Sequence, residues 1–155
     1  MVEEVNLLYA PFKYFVSGHV CLVFKLKDGQ EVVISPEAHT NRFIPLLGFL
    51  PFYKLKYVHF NYTDYITKYE RVSRSFHSTR LNISPDIAHL IYEEMLKRVD
   101  ELEYKQETYH ILLNSCITNT LRHLKNALQL DISLPQSISL LFKPELIANR
   151  VLIQK

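Results

Sequence analysis

Among the side chains that could serve as nucleophile or base, Cys116 and His19 stand in the most informative settings. In "YHILLNSCITNTLRHLKN", residues 109 to 126, an extended apolar run turns into a helical one at the cysteine. Asn114 or Ser115 is a good N-cap, so Cys116 falls in the first helical turn. Unpaired backbone N–H groups and the positive end of the helix dipole favour a thiolate there. A nucleophilic thiol also needs a base or an ion-pair partner. Its own helix is a poor source, because His123 is seven positions on, about 10 Å along the axis. His19 is the best-placed candidate. It follows Gly18, which lets another backbone or a substrate approach closely, and it opens a strand.

The elements that must bring the two together can be read from the pattern. Residues 13 to 34 read as a β-hairpin, with Asp28-Gly29 between two β-rich runs as the turn signal. Val16, Gly18, Val20, Leu22, Phe24 and Leu26 fall on one face, and Ser17, His19, Cys21, Val23 and Lys25 on the other. A two-residue turn pairs Lys27 with Gln30 and brings His19 opposite Glu37 to His39. A Cys at a helix N-terminus facing a strand His is the papain-like arrangement, in which a third residue orients the imidazole. The register nominates Glu37 or His39 for that role, with Ser35 less favoured. Glu37 is preferred, because a carboxylate also stabilises the imidazolium. Taken singly, each residue fits a plainer role: a small buried thiol, a strand histidine, surface side chains.

Elsewhere, residues 54 to 73 are β-branched and aromatic and predict one or two further strands. Ser84 as N-cap, Pro85 at the first helical position and Asp86 in the first turn start a helix. Its stripe, Ile87, Leu90, Ile91, Met95, Val99 and Leu102, runs to about residue 103. A short strand at 108 to 113 and a helix from about 115 to 130 follow. The apolar run "FIPLLGFLPF", 43 to 52, holds two prolines and a glycine, which argues against a regular helix or a central strand. The expectation is one α+β domain over 1–155, with a core at about 13–130 and a tail, 131–155, offering one short helix at most.

Composition removes several function classes. With 155 residues, 48% of them hydrophobic, the chain suits one globular domain. A net charge of +2, from scattered basic residues, argues against nucleic acid as a partner. Two cysteines do not make a disulfide framework, and the seven histidines show no metal-ligand spacing, so neither cofactor nor metal is expected. Cys21 shares a strand face with His19, which raises a reversible Cys21–Cys116 disulfide as a redox switch. The opening "MVEEVNLLYAPFKYF" is acidic, without a basic n-region or a small-residue cleavage site, so it does not read as a signal peptide. The longest apolar run is about half of what a bilayer span needs. Oligomeric state is not legible.

Three stretches resemble the Lnb-type N-terminal periplasmic domain family of bacteria. "SGHVCLVF" at 17 to 24 is similar to its "fGHaxLrf" strand, with His19 at the histidine. "YERVSRSFHSTRLNISPDIAHLIYEEML" at 69 to 96 resembles its strand-to-helix passage. "YHILLNSCITNTLRHL" at 109 to 124 resembles its "YxlltxNCtxxLxxLL", with Cys116 at the cysteine. Ser115 stands where the family has Asn, and no motif matches its third residue, so Glu37 rests on the hairpin register. The resemblance implies a circularly permuted papain-like fold, distantly similar to NlpC-type peptidases and the lecithin:retinol acyltransferase group. An antiparallel sheet would pack against the helix whose N-terminus carries the cysteine. It implies a thiol hydrolase or acyltransferase acting on amide, ester or thioester bonds of an acyl- or peptide-containing substrate, including lipoprotein acyl groups. It also implies a location in the periplasm or cell envelope, and makes 43–52 a candidate acyl-chain or membrane-surface contact. The competing expectation is a silent binding or scaffold domain that kept the fold.

Overall fold

The computed structural model describes residues 1–14 and 18–129; the tail expectation lies outside them. Six strands form one antiparallel sheet in the order β5-β1-β2-β3-β4-β6, with three helices on its two faces: an α+β fold. The strands are β1 (Val2–Pro11), β2 (Gly18–Leu26), β3 (Glu31–Ala38), β4 (Lys54–Asn61), β5 (His77–Arg80) and β6 (Glu107–Thr108). The helices are α1 (Tyr62–Tyr69), α2 (Pro85–Tyr104) and α3 (Cys116–Leu128).

Both faces of the central strands are buried. Val20, Leu22 and Phe24 of β2 meet Ile91 and Met95 of α2 and Ile117, Leu121 and Leu124 of α3 in the larger core. Cys21 and Val23 point the other way, into a smaller core with Leu8, Val33 and Tyr65 of α1. The alternation read for β2 is therefore observed in its described residues. Strand β1 was not anticipated, and the reason is visible. A register shift between Val2 and Glu4 puts Val2 and Val5, three apart, in the same core. Leu7 and Leu8 then face opposite cores, so no clean period of two survives in the sequence. The core thus begins at Val2, not near residue 13.

Two further expectations are corrected. The β2–β3 loop has three residues, Lys27 to Gly29, and Leu26 accepts from Gly29 while donating to Gln30. Gly29, at φ 83°, takes the left-handed conformation that such a loop requires. The register is accordingly Lys25 with Glu31 and Leu22 with Ile34, one residue from that of a two-residue turn. Residues 62 to 69 form a helix where a strand was expected. The Asn61 side chain accepts from the Thr63 N–H, and Tyr62, Tyr65, Ile66 and Tyr69 make the helical stripe that seals the smaller core. Strand β6 has two residues, and the chain after it turns around His110, whose Nδ1 accepts from the N–H groups of Leu112 and Leu113.

Helix α2 starts at Ser84 and Pro85 as expected. The 43–52 segment forms a 3₁₀ turn, Pro45–Phe49, pinned where Gly48 accepts from the Ile111 N–H. None of the helices among the described residues is long and apolar enough to cross a membrane.

Candidate active site

The β2–β3 ladder stops at Leu22 and Ile34. Beyond it, Gly18 to Cys21 stay paired with β1, while Ser35 to Ala38 stay paired with β4. The two inner strands fork there, and the N-terminus of α3 meets the fork. Ser115 is the N-cap, in a reciprocal capping box with Thr118: Thr118 Oγ1 accepts from Ser115 N–H at 2.7 Å, and Ser115 Oγ accepts from Thr118 N–H at 3.4 Å. Asn114 has another task. Its side chain donates to the Thr108 carbonyl and accepts from Asn119 Nδ2, which also reaches the Ser115 carbonyl. The turn that delivers the cysteine is thus tied from both sides.

Cys116 and His19 are brought together at the fork, both buried and close enough for each to shift the other's proton affinity. Burial alone pushes the thiol up. The His19 charge and hydrogen bond, with the N–H groups of Val20 and Ile117 aimed at the sulfur, outweigh that and hold Cys116 below the ordinary thiol range. Val20 can offer its N–H because the fork leaves it without a β3 partner. For His19 burial pulls down, but the charge and hydrogen bond of Cys116, then the Glu37 carboxylate, outweigh it, against opposition from Lys68. The imidazole lies above its usual range, and both directions favour a thiolate–imidazolium pair.

The orienting contact on the imidazole comes from Ser35, whose Oγ lies 2.6 Å from Nε2 across the fork. Glu37, preferred for this role from the sequence, is buried on the same strand, but its Oε2 pairs with Lys68 at 3.3 Å and its Oε1 has no hydrogen-bond partner. It acts on His19 through its charge. The fork decides this: the observed register, continued past Leu22 and Ile34, would set Glu37 opposite His19, but the strands separate there and Ser35 is the β3 side chain that reaches the ring. His39 lies just past β3, exposed, in a groove of about 430 Å³ lined also by Lys54, Tyr57 and Leu102, to which neither Cys116 nor His19 contributes.

Three residues at the site were not read from the sequence. Tyr69 stacks on the His19 ring at 5.4 Å and 7°, and Tyr65 stacks on Tyr69 at 4.6 Å. The helical spacing of 62, 65, 66 and 69 after Asn61 was the signal for them. Tyr109 is buried beside Cys116; burial, then the Cys116 charge, raises its pKa well above the usual phenol range. Its place seven residues before the cysteine coincides with the leading Tyr of the motif that 109 to 124 resembles, which was the signal for it. Both cysteines are free. Cys21 lies beneath α1 with its thiol at the Tyr65 hydroxyl, and burial pushes it well above the usual range. No group of three or more metal-ligating side chains occurs among the described residues.

No curated protein and no solved structure matches the chain. Residues 2–144 match the family described as the Lnb N-terminal periplasmic domain. That span contains Cys116, His19 and all six strands, and so the chain belongs to the Lnb N-terminal periplasmic domain family.

Proposed function

We propose that this domain is a thiol-dependent hydrolase or acyltransferase of permuted papain-like design, with Cys116 as nucleophile and His19 as base. The observation that carries the reading is the burial of Cys116 beside His19 at the fork, with the ring held from behind by Ser35. The order His19, Ser35, Cys116 along the chain reverses that of papain, as a permuted relative requires. With Nε2–H donating to Ser35 Oγ, Nδ1 is the nitrogen left to take the thiol proton.

The thiolate attacks the carbonyl carbon of an amide, ester or thioester, and the carbonyl electrons move to oxygen. Backbone N–H groups at the α3 start and the Tyr109 hydroxyl are the donors available to that oxyanion. Collapse expels the leaving group, which takes the proton from His19. Water or an amine then attacks the resulting thioester, gives a proton to His19, and frees Cys116. The family's periplasmic description supports an acyl- or peptide-containing substrate of the cell envelope. Glu37 raises the proton affinity of His19 through space.

The burial of Cys116 and His19, 6% and 7% exposed, favours a second reading, a binding domain that keeps the pair without using it. Alkylation by iodoacetamide separates the two. The first reading expects saturable labelling of wild type at pH 7, abolished in Cys116→Ser and slowed roughly 100-fold or more in His19→Ala. A Cys116 no faster than the Cys21 thiol would overturn it. Lipid and peptidoglycan profiling of wild type against Cys116→Ala then identifies the acyl or peptide donor.

A further inference from the structure

Four loops converge on the end of the sheet where β2 and β3 fork: residues 12–14, 39–53, 70–76 and 109–115. They are joined to one another in pairs. Phe12 bridges Ser73 and the Lys13 carbonyl accepts from the Arg74 guanidinium. Tyr53 accepts from Tyr109 N–H, and the Phe49 and His110 rings meet edge to face at 6.3 Å. This end carries most of the exposed large apolar side chains among the described residues. Among the described residues, only Met1, Leu90 and Tyr104 of the exposed large apolar or aromatic side chains lie elsewhere. Leu46 and Phe52 are 74% and 66% exposed, with Phe49, Leu50 and Leu113 beside them and Val72 across the fork. Leaving such side chains in water is unfavourable by about 25 cal/mol per Å², so a surface that concentrates them marks a contact.

Charge at the same end is mostly positive. Lys13, Arg42, Arg71 and Arg74 are exposed on these loops, and Lys54 follows directly, against the single acid Glu70. Apolar side chains protruding among cations match the chemistry of an anionic bilayer surface, in which apolar groups enter the acyl boundary while cations meet headgroup phosphates. A protein partner of the usual kind would meet an apolar centre depleted of charge, a different pattern. We propose that this end docks on an anionic lipid surface, with the 43–52 segment and Leu113 as the inserted part and Arg71, Arg74 and Lys13 as the headgroup contacts. Docking stands on the surface alone and does not require that Cys116 be a nucleophile.

Co-sedimentation of the full chain with phosphatidylcholine vesicles, with and without a quarter of phosphatidylglycerol, tests it in 0.1 M salt. Wild type is expected to bind the phosphatidylglycerol vesicles, and binding should weaken with added salt. Leu46→Asp with Phe52→Asp should cut binding at least tenfold, and Arg71→Gln should weaken it roughly fivefold. All these side chains are exposed, so an unchanged melting temperature confirms that the variants fold. Cys116→Ser should bind like wild type, so loss of the enzyme reading and loss of the docking reading give different results. Absence of binding to anionic vesicles, or binding indifferent to both sets of substitutions, overturns the proposal. So does a concentration-dependent dimer that Leu46→Asp dissolves while vesicles stay unbound, which would assign the surface to a second copy.

Discussion

Ser35 and His19 show how one hydroxyl decides what a ring can do. With Nε2 held at 2.6 Å, the imidazole presents one nitrogen to the thiol. In Ser35→Ala the ring loses that tether but keeps its Tyr69 stack, so the pair should persist in a looser geometry. We expect the Cys116 alkylation rate to fall roughly 10- to 100-fold, well short of the His19→Ala loss. The pH dependence should change in a definite direction. Thiolate increases with pH, and a lowered pKa moves that rise to lower pH. Wild-type alkylation should therefore rise at a lower pH than that of an ordinary thiol, whose midpoint lies at about 8.5. In His19→Ala burial acts without its counter-charge, and the midpoint of the rate profile should move above about 8.5. Glu37→Gln removes a charge that raises His19, so the imidazolium should lose its proton at a lower pH than in wild type. An NMR titration of the ring reads that shift.

At the scale of elements, α3 is held at both its start and its middle. Ser115 closes the capping box, and Ser115→Ala should cost about 1 kcal/mol in urea unfolding. Further along, His123 Nε2 is hydrogen-bonded to the Tyr57 hydroxyl at 2.9 Å, which also donates to Asn119 Oδ1 at 3.2 Å. Glu94 of α2 lies 3.3 Å from His123 Nδ1, within ion-pair reach though not aligned as a hydrogen bond. Asn119 thus joins β4 to the turn carrying Ser115 and Cys116. Removing its amide takes one partner each from the buried Tyr57 hydroxyl and the Ser115 carbonyl, which keep His123 and the backbone N–H of residue 119. Asn119→Ala should destabilise by about 1–3 kcal/mol and also slow alkylation, because the turn loses its tether. A purely structural role would lower stability and leave the rate of the folded fraction unchanged.

For the molecule as a whole, the two cores meet at the site: Cys116 packs with the larger one and His19 against the tyrosines of the smaller. The large core beneath α2 and α3 holds Phe24, Ile91 and Met95 fully buried. Ile91→Ala should cost about 2–5 kcal/mol, measured by urea unfolding. The folded fraction should alkylate near the wild-type rate, since the groups that shift Cys116 and His19 lie on β2, β3, α1 and α3 and not on α2. The smaller core on the other face, with Tyr65 and Tyr69, is the one that touches His19. Substitutions there should change rate and stability together.

Local physics placed much of this in the sequence itself. A cap residue before an apolar helical stripe puts Cys116 in the first turn, and the Gly18-His19 strand, the α2 start and the Asp28-Gly29 turn are equally short-range signals. Helix α1 was legible too, in Asn61 and the spacing of its tyrosines, but its β-branched and aromatic composition pointed to a strand. What depended on the tertiary structure is non-local. The β2–β3 ladder ends at Leu22 and Ile34, and the helix that begins at Cys116 meets the opening. Those facts, and not propensity, select Ser35 over Glu37 as the partner of the His19 ring. They also free the Val20 N–H for the sulfur and bring Tyr109 against it. Burying a thiol and an imidazole together turns two unremarkable side chains into a pair whose proton each can hold.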